Sequence, residues 1–191
     1  RRRFDAAKAL EARTSEIRTA RAQLEVEIQH DLGDRREILD EIQRTFHSFA
    51  SRLYGAERLN YLTIEPTTNH LRISPFIESD DSIGVGNMAM FCLDLTVASV
   101  AMRTDRAPDF LIHDSHMFDG VDQRQVALAL NLARDVGQSV GLQYIVTVNS
   151  DELQKAADSG FDPADAIVDI GLTDEFADGG LFGFRFDSRQ R

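Results

Sequence analysis

A single cysteine, no tryptophan, four prolines and only two lysines set the first limits on this 191-residue chain. Cys92 stands alone inside an apolar run. No intramolecular disulfide can form, and the residue reads as a small buried hydrophobe. Positive charge is scarce where a globular part would lie. Residues 1–54 carry 11 basic and 10 acidic side chains, whereas residues 55–191 carry 10 and 22, for a formal net charge of −11. Duplex binding is dominated by cations meeting phosphates, so DNA is a partner that the charge does not indicate. Arg1-Arg2-Arg3 could touch nucleic acid, but three arginines at a terminus ordinarily form a solvated end. No signal peptide and no apolar run long enough to span a bilayer are read from the sequence, so a cytoplasmic location without a membrane partner is expected. The chain has no initiator Met and reads as a fragment of something longer.

What is present divides at about residue 54. Residues 4–31 are rich in Ala, Glu, Arg and Gln, and Leu10, Ile17 and Leu24 recur every seven. The alternate seam positions Arg13, Ala20 and Glu27 are poor, which predicts a weak coiled-coil arm interrupted at Gly33. Leu39, Ile42, Phe46, Phe49 and Leu53 then alternate spacings of three and four, an apolar helix stripe ending at Gly55 and suited to docking on a core. Residues 59–64 and 70–74 read as a hairpin around Pro66-Thr67-Thr68-Asn69. An apolar helix is expected from Gly86 to Arg103, a buried strand over 109–113, a helix from Asp122 to about Ser139, and a second buried strand over 143–148. Ser150 can cap the helix that follows. Residues 167–170 and 181–186 read as closing strands. Strand–helix–strand order from 109 to 148 implies a right-handed parallel βαβ unit. The expected fold class is therefore α/β, a mixed sheet with a parallel βαβ unit, preceded by a helical coiled-coil arm. The expected division is 1–54 for the arm and 55–191 for the lobe.

Three stretches can carry chemistry. Ser82-Ile83-Gly84-Val85-Gly86-Asn87 precedes a helix, and glycines with free amides at a helix N-terminus can hold a phosphate oxygen, or can simply make a tight turn. The strand Phe110-Leu111-Ile112-His113 delivers Asp114 to its C-terminal edge, where ligands sit in open α/β sheets. Such an Asp can hold Mg²⁺ through water or cap a local turn. His113, Asp114, His116 and Asp119 could alternatively form a metal-dependent phosphoesterase site, although strand alternation points His113 and Asp114 oppositely. Asn149, after the second strand, can orient water or phosphate, or cap the next helix.

Taken in order, these pieces resemble the C-terminal lobe of an SMC-like, ABC-type ATPase head of the P-loop NTPase superfamily. His113-Asp114-Ser115, Phe118-Asp119 and Gln143-Tyr144-Ile145-Val146-Thr147-Val148-Asn149 resemble the uncharacterised bacterial YydD-like family of coiled-coil ATPases, over residues 35–186. The resemblance puts Ser82, Gly84 and Gly86 at the signature motif that touches the γ-phosphate held by an opposing head. It puts Asp114 at the Walker B Asp, Asp122 at the D-loop Asp of the dimer interface, and Asn149 where a switch histidine stands. Ser115 replaces the Glu that orients water and cannot serve as a carboxylate base. If hydrolysis occurs, His116 and Asp119 are the nearest candidates for that role. No Gly-x-x-x-x-Gly-Lys-Ser/Thr occurs in the chain, so the phosphate cradle must come from elsewhere. The resemblance implies ATP and Mg²⁺ as cofactors and an N-terminal P-loop half of the same protein as partner. It also implies homodimerisation through heads or coiled coil, and slow hydrolysis serving DNA maintenance or phage defence. The rival expectations are a non-hydrolysing scaffold module and the phosphoesterase.

Overall fold

The computed structural model describes residues 2–67, 70–79, 81–104, 108–168, 171–173, 175–176 and 178–184, with the side chains of 2–4, 6 and 7 excepted. Residues 1–161 make one compact unit and residues 162–191 another.

Helices α1 (Arg2–Asp34) and α2 (Arg36–Tyr54) are separated by Arg35 alone. Arg35 N bonds to Asp31 O at 3.1 Å and Leu39 N to Arg35 O at 3.1 Å, so helical bonding passes across the junction. Gly33 does not interrupt the helix as expected. It is exposed, and one such glycine costs only about 1 kcal/mol relative to Ala, too little to end a helix of this length. Arg35 also bridges Asp31 one turn back at 2.9 Å. Leu10, Ile17 and Leu24 on α1 are each at least half exposed.

α2 behaves differently. Phe46, Ala50 and Leu53 are buried, and Ile42 and Phe49 pack partly against the same core. The strands β1 (Asn60–Pro66) and β2 (Leu71–Ile77) pair antiparallel, with Asn60 opposite Ile77 and Pro66 opposite Leu71, as the hairpin reading expects. Turn residues Thr68 and Asn69 lie outside the described residues. Gln43 Nε2 donates to Leu62 O, and His47 Nδ1 lies 2.8 Å from Asn60 Oδ1, which fastens the hairpin to α2.

Helix α3 (Ile83–Met102) starts three residues before the expected Gly86. Met88, Phe91, Cys92 and Leu95 are fully buried, and Asp94 is its one charged residue. By length and composition α3 is apolar enough to cross a membrane, contrary to the reading of the sequence; just over half of that stretch is buried within the protein, as in a core helix. Strand β3 (Phe110–His113), a 3₁₀ turn (Ser115–Phe118), helix α4 (Gln123–Val140) and strand β4 (Gln143–Val146) follow. β3 and β4 run parallel, Phe110 beside Gln143 and His113 beside Val146, which bears out the mixed α/β class with a parallel βαβ unit. The single mixed sheet expected from the sequence is not found: among the described residues the antiparallel pair and the parallel pair form separate two-stranded sheets. α4 ends at Gly141, whose φ of +76° closes the helix before β4. Helix α5 (Ser150–Asp158) begins at Ser150, with Asn149 rather than Ser150 in the N-cap position.

Neither parallel strand is buried on both faces, as the sequence led us to expect. Leu111, His113, Tyr144 and Val146 turn toward the core, whereas Phe110, Ile112 and Ile145 are exposed. An apolar run does not distinguish a strand covered on both faces from one covered on one.

In the second unit, Thr173 N bonds to Gly179 O at 3.0 Å and closes a loop. No strand occurs there among the described residues. Ile167 and Val168 are irregular and exposed, and 181–184 is turn and bend, while Asp169, Ile170, Arg185 and Phe186 lie outside the described residues. Gly179, Gly180 and Gly183 favour turns over the extended backbone that the apolar pattern suggested.

Candidate active site

The C-terminal edge of β3 and the start of α3 meet at one place. After His113 the chain turns, and Asp114 caps the 3₁₀ turn: its Oδ1 accepts from His116 N at 3.0 Å and from Ser115 Oγ at 3.3 Å. The local-cap role expected as the alternative for Asp114 is therefore filled. The backbone donor, with Ser115 and the His116 ring adding to it, holds the exposed Asp114 carboxyl below the usual range. His116 Nδ1 lies 2.9 Å from Asp119 Oδ2 on the surface. That bond and the carboxylate charge raise the His116 pKa. Asp122 caps α4, its Oδ1 accepting from Arg124 N and from Arg124 Nε, which lowers its pKa.

Against this loop sits the first turn of α3. Gly84 is buried, and a Cβ there would lie 2.1 Å from Gly120 O and 2.7 Å from its carbonyl carbon. Only glycine permits that approach. Ser82 occupies the N-cap with no side-chain bond to the helix, and Gly86 N bonds back to Ser82 O at 3.0 Å. Gly84 and Gly86 thus lie within the first turn rather than in a loop before it. The amides of 83–85 still have no intrahelical acceptor, as at any helix start. Asn87 Nδ2 donates to His116 O and to Asp119 O, a second tie between α3 and the loop.

Ser82, Gly84, Gly86, Asp114, Ser115, His116 and Asp122 therefore belong to two segments in contact. Asn149 lies on the same sheet edge: Thr147 N bonds to His113 O at 3.2 Å, and Asn149 follows two residues on without a capping side-chain bond. His113 is not beside Asp114's carboxylate. It is turned into the core, with Nε2 3.2 Å from Asp94 Oδ2 and Nδ1 3.0 Å from the Tyr144 hydroxyl. No group of three His, Cys, Asp or Glu side chains suited to a metal ion occurs among the described residues. Reading the sequence missed Asn87 and the Asp94–His113–Tyr144 contacts. The usable signal was Asp94, the lone charge in an apolar helix.

Residues 49–186 match a family described as uncharacterised proteins conserved in bacteria, DUF2326, and the chain belongs to it. The match begins in α2, after all of α1. No curated protein matches the chain.

Proposed function

We propose that this member of the family is the C-terminal lobe of an SMC-like, ABC-type ATPase head, akin to the YydD-like coiled-coil ATPases, with residues 1–54 as the arm and 55–191 as the lobe. The observation that carries the reading is the contact of Gly84 with Gly120, which sets the α3 start beside the loop running from Asp114 to Asp122. In this reading Ser82, Gly84 and Gly86 mark the α3 start that faces the γ-phosphate held by an opposing head, with Gly84 itself packed beneath it on Gly120, and Asp122 organises the head–head interface. When bound, ATP supplies the phosphate that joins the two heads. Asp114 fits a Mg²⁺ ion of the kind held by one carboxylate plus water and phosphate oxygens: it is exposed at the strand edge and kept ionised by the His116 amide. The P-loop comes from an N-terminal half of the same protein, and homodimers form through heads or coiled coil. The exposed seam of α1 supports a role as an arm.

Ser115 and Asn149, standing for a carboxylate and a histidine, support slow turnover and favour a non-hydrolysing scaffold as the second reading. The phosphoesterase reading has less support, because His113 is engaged in the core and His116 is paired with Asp119. Isothermal titration of this chain with Mg-ATP tests the assignment. Weak or no binding is expected, since the P-loop amides and Lys supply most triphosphate contacts. Submicromolar affinity for the isolated chain would sink it.

A further inference from the structure

We propose that Asp94, His113 and Tyr144 form a hydrogen-bonded strut that fixes the strand end bearing Asp114 to helix α3, so that displacement of the α3 start reaches Asp114. The consequence for nucleotide rests on the head-lobe reading; the strut itself does not.

Each member comes from a different element: Asp94 from α3, His113 from the end of β3 and Tyr144 from β4. His113 is 6% exposed, and both ring nitrogens have partners, at 3.2 Å and 3.0 Å. An ionised carboxylate only accepts, so Nε2 carries the proton and donates to Asp94. In a neutral ring Nδ1 is then the acceptor, and the Tyr144 O–H donates to it. One tautomer and one hydroxyl direction satisfy the chain. Burial, aided by the Asp94 charge, keeps the phenol protonated for this role.

The ring is also held sterically. Phe91, nearly one turn before Asp94, lies 5.7 Å from the His113 ring and 6.2 Å edge-on to Tyr144 between centroids. It also lies 6.4 Å from Phe118 in the 3₁₀ turn. A leucine at 113 would fill the same volume without specifying how α3 and β3 stand to one another. A buried imidazole with both nitrogens engaged, between a partly exposed Asp94 and the Tyr144 hydroxyl, does specify it. With Gly84 on Gly120 and Asn87 on the carbonyls of His116 and Asp119, the strut is the third tie between α3 and the β3 end. Asp94, His113 and Tyr144 are thus positioning residues.

Long-range ¹H–¹⁵N NMR of this chain reads the strut directly. The His113 ring should show a protonated Nε2 and an unprotonated Nδ1. Asp94→Ala should give mixed tautomers and speed amide exchange of residues 114–119 about tenfold. Asp94→Asn, whose carbonyl still accepts from Nε2, should restore both. A wild-type ring protonated at Nδ1, or an Asp94→Ala ring and exchange pattern like wild type, overturns the proposal. If Asp94→Ala does not fold, Tyr144→Phe removes only the hydroxyl: a moved Nδ1 resonance with faster exchange at 114–119 supports the strut, and an unchanged ring overturns it. In the complete protein, Asp94→Ala should lower Mg-ATP turnover with KM retained, and Asp94→Asn should rescue it. A complete protein inert toward Mg-ATP, with the NMR results as expected, overturns the head-lobe reading and supports the strut.

Discussion

Helices α1 and α2 are joined by one residue and share a helical path, yet α1 exposes its seam and α2 buries Phe46, Ala50 and Leu53. Along most of α1 the large apolar residues Leu10, Ile17 and Leu24 recur every seven, and Arg13 and Glu27 stand at the alternate positions. Such a stripe is too narrow to repay docking. In α2 they recur every three or four and grow larger toward the C-terminal end, where the hairpin, α3 and α4 meet it. Helix formation is common to both; the period of apolar side chains decides which one becomes part of a core.

The sharpest way to test this contrast is to remove one side chain from each helix. Phe46 is fully buried, so Phe46→Ala should lower stability by about 3–5 kcal/mol in urea unfolding. A loss under about 1 kcal/mol would place α2 with α1 rather than with the core. Gly84→Ala should cost about 1–3 kcal/mol, because the new Cβ meets backbone rather than a movable side chain. The same variant should speed amide exchange at residues 119–122, and an unchanged exchange pattern would remove the α3–loop contact from the account. Ile17→Ala should change the unfolding free energy by less than about 0.5 kcal/mol, as expected for a surface side chain. A larger loss that grows with protein concentration would show that α1 is partnered under those conditions.

The smallest effect concerns charge. His116 gains its partner Asp119 only in the fold, and its folded pKa is raised above the unfolded one. The stability it contributes is therefore fully present below the unfolded pKa and lost as pH rises through the folded pKa. An NMR titration should place the His116 midpoint above that of an ordinary imidazole, and Asp119→Asn should bring it back.

Local pattern made much of this legible. The α2 stripe, the hairpin and the parallel βαβ unit each rest on periodicity or on turn residues within a few positions of one another. Asp114 at a strand end and Asp122 ahead of a helix were readable for the same reason. The start of α3 was not, because glycine is tolerated in a helix's first turn when the neighbouring backbone leaves no room for a side chain, as Gly120 does at Gly84. Nor was the open face of β3 and β4, since Phe110 and Ile112 are apolar whether covered or not. The Asp94–His113 contact spans 19 residues of sequence, and no spacing rule reaches that far.

The most direct test of the account is nucleotide-dependent association of the complete protein, followed by light scattering alongside phosphate release under saturating Mg-ATP. Asp114→Asn keeps the shape of the strand edge and removes the charge suited to Mg²⁺, so it should abolish association. Ser115→Ala should change turnover little, since a hydroxyl at most positions water, and Ser115→Glu should raise it. If Asp114→Asn leaves association and turnover intact while Ser115→Ala destroys them, Asp114 is not the metal-holding carboxylate and the head-lobe assignment fails.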